Sequence, residues 1–205
     1  MITAVHGFLG LPSDWDFLRD AGIDVDARTS GDIPSSGDVL LGYSMGGRLV
    51  LHALLNGARY RKAVIVSAGL GVEGESERKA RREADEAWAA RFEREDWDTL
   101  LLDWNAQAVF GGHVQLRLEK DFDRPALATA LREWSPAVLP AVADRLQEIT
   151  IPVLWIAGER DRRYVEEGRR AVALLPDAEL WICPDAGHRV PWEQPDLFVR
   201  RLRSL

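Results

Sequence analysis

Three side chains of this 205-residue chain have the types and spacing for acid–base-assisted chemistry at an oxygen: Ser44, Asp161 and His188. A serine hydroxyl is a weak nucleophile and a weak base until an imidazole takes its proton, and the imidazole works best when a carboxylate holds its other nitrogen. Ser44 is the centre of Gly42-Tyr43-Ser44-Met45-Gly46. Glycines two positions either side of a serine suit a turn so tight that side chains there would strike the backbone; the strain holds the hydroxyl clear at a helix N-terminus. The apolar run Val39-Leu40-Leu41 before the motif and a helix-like stretch over 48–55 after it supply the strand–turn–helix setting the motif requires. Asp161 ends Gly158-Glu159-Arg160-Asp161 after a strand candidate at 153–157, and His188 ends Asp185-Ala186-Gly187-His188 after one at 179–183. Singly, Asp161 suits a solvated loop acid and His188 a surface turn. Jointly, at strand ends and in the order serine, acid, histidine, they read as a triad. Glu159 is the competing acid.

His6-Gly7-Phe8-Leu9-Gly10 follows the first strand candidate. Backbone N–H groups of Phe8 and Met45 are the expected donors to a developing oxyanion. His6 reads as a structural hydrogen-bonding residue, and His52 and His113 lie in no motif. Arg48 stands four residues after Ser44 on one helix and so shares its face. Burying an unpaired guanidinium is expensive, so either an internal carboxylate or an anionic substrate pairs it; the second is the preferred reading.

The elements that must position these groups form an alternation. Strand candidates at 2–5, 23–27, 39–43, 63–67, 153–157 and 179–183 include uninterrupted runs such as Val64-Ile65-Val66 and Val153-Leu154-Trp155-Ile156, which suit strands covered on both faces. Helical patterns separate most of them, as in a parallel sheet wrapped by helices. Residues 29–37 are Gly/Ser/Pro-rich and too short for a crossover helix, since parallel neighbours need a connection of roughly a dozen residues, so this loop is expected either to run over the sheet between strands that are not neighbours or to cross without a helix. Between 68 and 149 the alternation stops. A charged helix over 73–95 carries the stripe Ala80, Ala84, Ala87, Trp88; Trp97, Leu100, Leu101 and Trp104 repeat at helical spacing; 125–134 and 137–149 read as two more helices. The expected organisation is a core of 1–67 with 150–205 and a helical lid of 68–149 over the strand ends.

The chain carries 26 Lys and Arg against 33 Asp and Glu, a formal net charge of −7, which argues against a general nucleic-acid binder. It leaves room for a small anionic substrate held by local arginines. A single cysteine, Cys183, excludes an intrachain disulfide and a cysteine-based metal site; no metal and no cofactor are expected. Met1-Ile2-Thr3-Ala4-Val5-His6-Gly7 has neither the charged region of a signal peptide nor a membrane-spanning run, so a cytoplasmic protein without membrane partners is expected, its oligomeric state left open.

These residues resemble the α/β-hydrolase superfamily, and within it the 2-succinyl-6-hydroxy-2,4-cyclohexadiene-1-carboxylate synthases of menaquinone biosynthesis. The resemblance runs through Gly42-Tyr43-Ser44-Met45-Gly46-Gly47-Arg48, Ala80-Arg81-Arg82-Glu83-Ala84-Asp85, Trp88-Ala89-Ala90-Arg91-Phe92, Asp103-Trp104-Asn105-Ala106-Gln107, Gly158-Glu159-Arg160-Asp161 and Ala186-Gly187-His188. The triad motifs are common to the superfamily; those between residues 80 and 107 are far more specific. The resemblance implies a compact, mostly parallel sheet of about six strands with a helical lid, and a lyase whose serine acts as a base so that pyruvate leaves a cyclohexene bearing several carboxylates. It further implies that Arg48 and Arg81 hold substrate carboxylates, with Arg117 or Arg124 as a third, and that Tyr43 and Trp104 line the pocket. Guanidinium forks match carboxylates bidentately. Arg81 could instead pair with Asp85 at i, i+4, and Trp104 could be core of the lid.

Two features depart from the family. Asp26-Ala27-Arg28-Thr29-Ser30-Gly31 stands where an Asp-x-Pro-Gly-His-Gly type of loop is usual. The chain also begins at the strand before His6, so two edge strands and a crossover helix are expected to be missing. Beside the lyase stand two other readings: a small carboxylic-ester or C–C bond hydrolase using Ser44 as covalent nucleophile, and a binding protein without catalysis, which would have no need of a whole triad.

Overall fold

The structure is a computed structural model that describes all 205 residues. In chain order the elements are β1 (Ile2–Val5), α1 (Asp16–Asp20), β2 (Val25–Arg28), β3 (Ser36–Tyr43), α2 (Met45–Leu55), β4 (Arg59–Val66), α3 (Glu75–Arg94), α4 (Trp97–Asn105), α5 (Arg124–Glu133), β5 (Val153–Gly158), α6 (Arg162–Leu174), β6 (Ala178–Cys183), α7 (Val190–Glu193) and α8 (Pro195–Arg203). Short 3-10 turns precede α1 and lie at Ala108–Phe110, Glu119–Asp121 and Ala143–Glu148. The chain divides into two compact units, residues 1–70 with 142–205 and residues 71–141. No helix is long and apolar enough to cross a membrane.

The first unit is built on a six-stranded sheet in the order β2-β1-β3-β4-β5-β6, parallel throughout. Both faces are buried, which is why the strands read as continuous apolar runs. Along each strand the side chains alternate between two cores. Val5, Leu40, Ile65, Val153 and Trp155 join Val50 and Leu51 of α2, Ala171 of α6 and Leu146 on one side. Ala4, Leu41, Val64, Val66, Leu154 and Ile156 join Trp15, Leu18 of α1, and Phe198 and Leu202 of α8 on the other. β4 starts at Arg59, ahead of the apolar run: Tyr60 is buried between the exposed Arg59 and Arg61, so this half-covered end alternates in polarity.

Strands β2 and β3 flank β1, and the loop at 29–35 joins them past it without a helix. The winding therefore reverses around β1, and a reversal of strand order opens a crevice at the carboxyl ends of the strands beside it. Those ends carry Gly7-Phe8 on β1 and Ser44 on β3. At the end of the first unit's leading half, Val142 N–H donates to the Leu70 carbonyl at 2.8 Å, so the chain leaves and re-enters this unit at one point. The pattern over 137–149 is not a helix. Pro140 lacks an N–H and restrains Leu139, and only the 3-10 turn Ala143–Glu148 forms, placing Ala143 and Leu146 in the sheet's core.

In the second unit, α3 and α5 are tied by Arg132, which bonds both Glu86 and Glu93. The buried face of α3 is Asp85, Ala89 and Phe92, whereas Ala80, Ala84 and Ala87 of the expected stripe are exposed. Asp85 can sit inside because Arg81 neutralises it. Phe92 stacks edge-on against Trp97 and Trp104 of α4, and Trp88 does the same with Trp104.

Candidate active site

Ser44 occupies a backbone conformation that L-residues avoid, φ 53° and ψ −114°, a local strain that persists only where the surroundings impose it. The imposition is visible. Ser44 N–H donates to the Val66 carbonyl of the next strand at 2.8 Å, and α2 begins immediately with Arg48 N–H donating to the Ser44 carbonyl at 3.2 Å. A Cβ on Gly42 would lie 2.5 Å from the Gly46 carbonyl oxygen, and one on Gly46 would lie 2.4 Å from the His6 carbonyl oxygen. The motif's two glycines thus let the turn close on itself and let α2 press against the end of β1.

The two loops that leave β5 and β6 bring the acid and the imidazole to this serine. His188 Nδ1 lies 2.7 Å from Asp161 Oδ2, and Nε2 lies 3.0 Å from Ser44 Oγ. An ionised carboxylate only accepts, so Nδ1 carries the proton and donates to Asp161, leaving Nε2 to accept from the Ser44 hydroxyl. Asp161 and His188 are buried. Their loops interlock at the backbone: Arg160 N–H donates to the Ala186 carbonyl at 2.8 Å, and a Cβ on Gly158 would collide with the carbonyls of Ala186 and Gly187. Glu159 is exposed and accepts from the Asp185 N–H at 3.2 Å; it is not at the imidazole. The His188 ring packs beside Tyr164, 4.5 Å between centroids, and Tyr43, 5.5 Å. Tyr43 in turn meets Trp192 edge-on at 4.8 Å. Burial drives the Tyr43 phenol far above its ordinary range, against the pull of the neighbouring Arg189 guanidinium, so it remains a neutral wall. Cys183, beneath the histidine loop, is pushed up to about 11 by burial, with Glu193 and Asp185 adding to the shift, and is a thiol at neutral pH.

Met45 is the first residue of α2, so its N–H has no acceptor within the helix. Gly7 lies against the elbow: a Cβ there would stand 3.3 Å from Ser44 Cβ, which puts Phe8 next to the serine in the chain's path. His6 donates from Nδ1 to the Gly7 carbonyl at 2.7 Å, and Ser30 donates to the His6 carbonyl at 3.1 Å; this histidine shapes the loop. Arg48 is half-buried one turn along α2. Burial chiefly, with the charges of Arg48 and Arg145, holds the His52 imidazole below its usual value.

Arg81, Trp104, Arg117 and Arg124 belong to the second unit. Arg81 Nε donates to Asp85 Oδ2 at 2.7 Å. Trp104 packs among Trp88, Phe92 and Phe110. The Arg117 carbonyl accepts from Trp97 Nε1 at 2.9 Å. Arg124 is committed to structure: its guanidinium donates to the carbonyls of Phe92 and Glu95, pairs with Glu119 and lies over the Trp97 ring. No motif in the sequence marks Tyr164, Arg189 or Trp192. Aromatic walls and a buried arginine next to the histidine follow no spacing rule, so no local signal pointed to them.

The model of the alpha/beta hydrolase family matches residues 5–201, and the chain belongs to that family. It is similar to the 2-succinyl-6-hydroxy-2,4-cyclohexadiene-1-carboxylate synthase of Citrobacter koseri, with 33% identity over all of this chain and 92% of that protein. The synthase of Serratia proteamaculans is 33% identical over 173 residues, 80% of this chain and 66% of that one. Among solved structures, MenH from S. aureus aligns with a TM-score of 0.87 at 22% identity, covering 99% of this chain and 91% of that chain. A malate-bound thermophilic esterase from Thermogutta terrifontis aligns at 0.70 with 21% identity, covering 99% and 88%. The two structures share the fold.

Proposed function

We propose that this chain is a lyase that eliminates pyruvate from 2-succinyl-5-enolpyruvyl-6-hydroxy-3-cyclohexene-1-carboxylate, a step of menaquinone biosynthesis, using Ser44, His188 and Asp161. The observation that carries the reading is the full-length 33% identity to a synthase whose name is that of the diene product. The site supplies the base such a reaction needs, in the hydrogen-bonded row from Ser44 Oγ through His188 to Asp161.

The chemistry follows from the two ring systems. A 3-ene with a leaving group at C5 becomes a 2,4-diene when a proton leaves C2. His188 Nε2 takes the Ser44 proton, and the serine oxygen takes the proton from C2, which is acidified by the succinyl ketone beside it. The C–H electrons form the C2–C3 double bond, the ring double bond moves to C4–C5, and the C5–O bond breaks. Enolpyruvate leaves, recovers a proton and tautomerises to pyruvate. The step is redox-neutral and balances without another reactant. Negative charge grows on the ketone oxygen, where the N–H groups of Phe8 and Met45 would act as an oxyanion hole. Asp161 holds the imidazole in the correct tautomer and stabilises it once charged. Arg48 would receive one of the substrate's carboxylates, a charge-assisted contact that a guanidinium makes in two parallel bonds.

The test is incubation of the purified protein with the enolpyruvyl intermediate, following pyruvate through lactate dehydrogenase and NADH. Release of pyruvate supports the lyase. Turnover of small neutral esters with no pyruvate release makes the protein a serine hydrolase in which Ser44 attacks covalently.

A further inference from the structure

Glu193 plays no part in the chemistry above, yet its carboxylate is the most heavily used buried anion near the site. The side chain is nearly inaccessible and lies at the end of the short helix α7, five residues after His188. One oxygen, Oε2, accepts from the Gly187 N–H at 2.8 Å, and the other, Oε1, accepts from the Arg189 N–H at 2.9 Å. These are the N–H groups of the residues on either side of His188: that of Arg189 belongs to the peptide that follows the histidine Cα, and that of Gly187 to the 186–187 peptide, one before the peptide that enters it. The same Oε2 accepts from the guanidinium of Arg160 at 2.9 Å, and Arg160 is the residue before Asp161. A Cβ at position 187 would lie 3.1 Å from both carboxylate oxygens, so the glycine before the histidine leaves room for this approach.

We infer that Glu193 is a positioning residue for His188: it clamps the backbone N–H groups of the residues before and after the histidine and ties them to the turn carrying Asp161. The inference rests on the reading of Ser44, His188 and Asp161 as a triad. The physical case is that a histidine loop has few ways to be held rigid. A bidentate charged acceptor pins the 186–187 peptide ahead of Gly187 and the 188–189 peptide behind His188, so the Gly187-His188 pair is held at both ends with bonds stronger than neutral ones. With the pair held at both ends, the ring can reach Asp161 and Ser44 together. Tyr43 and Tyr164 restrict the ring's tilt, but only the backbone sets its height above the serine. Glutamine at 193 keeps the size but has one acceptor oxygen; its NH2 would face a peptide N–H or force the amide to turn away. Aspartate keeps two acceptors on a stem one methylene shorter.

The experiment uses a reagent independent of substrate identity. A small alkyl fluorophosphonate forms a phosphorus–oxygen bond to Ser44 as the P–F bond breaks, with fluoride leaving and the serine proton passing to His188. Rates of Ser44 labelling, read by mass spectrometry across pH, are compared for the full-length wild type, Glu193→Gln and Glu193→Asp, together with the melting temperature and the downfield proton resonance of His188 Nδ1–H. Glu193→Gln should label about 10- to 100-fold more slowly, the order expected for a misplacement of about 1 Å, and its downfield resonance should broaden or vanish while the protein stays folded. Glu193→Asp should fall between the two; if the glutamine variant does not fold, the aspartate variant alone must label more slowly than wild type. A labelling rate per folded molecule equal to wild type, with the downfield resonance intact, overturns the inference and leaves Glu193 as a packing residue. Wild-type protein that is not labelled at Ser44 overturns the triad reading beneath it, a result distinct from any change at residue 193.

Discussion

The seam between α2 and β1 gives a perturbation whose size can be worked from the coordinates. In Gly46→Ala the new Cβ would stand 2.4 Å from the His6 carbonyl oxygen and 2.6 Å from that of Val5. A comfortable carbon–oxygen approach is about 3.3 Å, so the elbow and β1 must separate by roughly 0.8 Å. Neither obstacle is a side chain that could rotate away, and β1 is held on both sides by β2 and β3. Overpacking of this kind costs about 1–3 kcal/mol, and each kcal/mol lowers Tm by roughly 2–4 °C in a chain of this size. The separation also draws Met45 away from Phe8, the two residues whose N–H groups are assigned to the oxyanion. A displacement near 1 Å costs about 100-fold in rate, so kcat for pyruvate release should fall by roughly 30- to 300-fold, with a smaller change in KM. The assay is coupled pyruvate detection on protein shown to be folded by circular dichroism. Gly69→Ala is the control, since a Cβ there meets nothing closer than 3.8 Å. Wild-type kcat in folded Gly46→Ala refutes the placement of the oxyanion donors across this seam.

Asp161→Asn removes the charge and lets an amide N–H face His188 Nδ1, favouring the tautomer that cannot accept from Ser44; kcat should drop about 10,000-fold, or roughly 5.5 kcal/mol, and a loss under tenfold contradicts the assignment. Arg48→Ala should cut pyruvate release by about 10- to 100-fold, the worth of a charge-assisted contact of roughly 1.5–3 kcal/mol, and leave hydrolysis of a neutral ester unchanged; equal losses would make Arg48 a structural residue. His52 has a folded pKa below its unfolded value, because burial and the charges of Arg48 and Arg145 disfavour its protonation. The unfolded chain therefore takes up a proton first as pH falls below about 6.5, and stability is lost from there down to the folded pKa. Melting temperature should decline more between pH 7 and pH 5 in wild type than in His52→Gln, and parallel curves would remove His52 from the account.

The six strands were legible because fully covered parallel strands leave apolar runs such as Val64-Ile65-Val66 that little else in a chain imitates. The first four residues of β4 were not, since Arg59 and Arg61 are exposed at its open end and break the run. On α3 the alanines misled. Ala80, Ala84 and Ala87 are small enough to sit in solvent at little cost, whereas the buried face includes Asp85, whose charge conceals its position until its pairing with Arg81 is seen. Ser44 stood out through the steric demands of its turn, whereas Asp161 and His188 could be proposed only jointly, from their places after strand runs and the order serine, acid, histidine. Glu193 accepts from backbone N–H groups, which every residue but proline carries, so its partners leave no trace in side-chain types. Tyr164 reaches His188 from a helix in another part of the chain, and only the fold brings it there.

The central claim, that Ser44 acts within the triad to expel pyruvate, is tested most directly by single-turnover pyruvate release from the enolpyruvyl intermediate by wild type and by Ser44→Ala. The account predicts one pyruvate for each diene formed by wild type, and a fall of at least about 1,000-fold in the alanine variant with its melting temperature retained. Pyruvate release by Ser44→Ala at a rate near that of wild type, or none from wild type while neutral esters are cleaved, contradicts it.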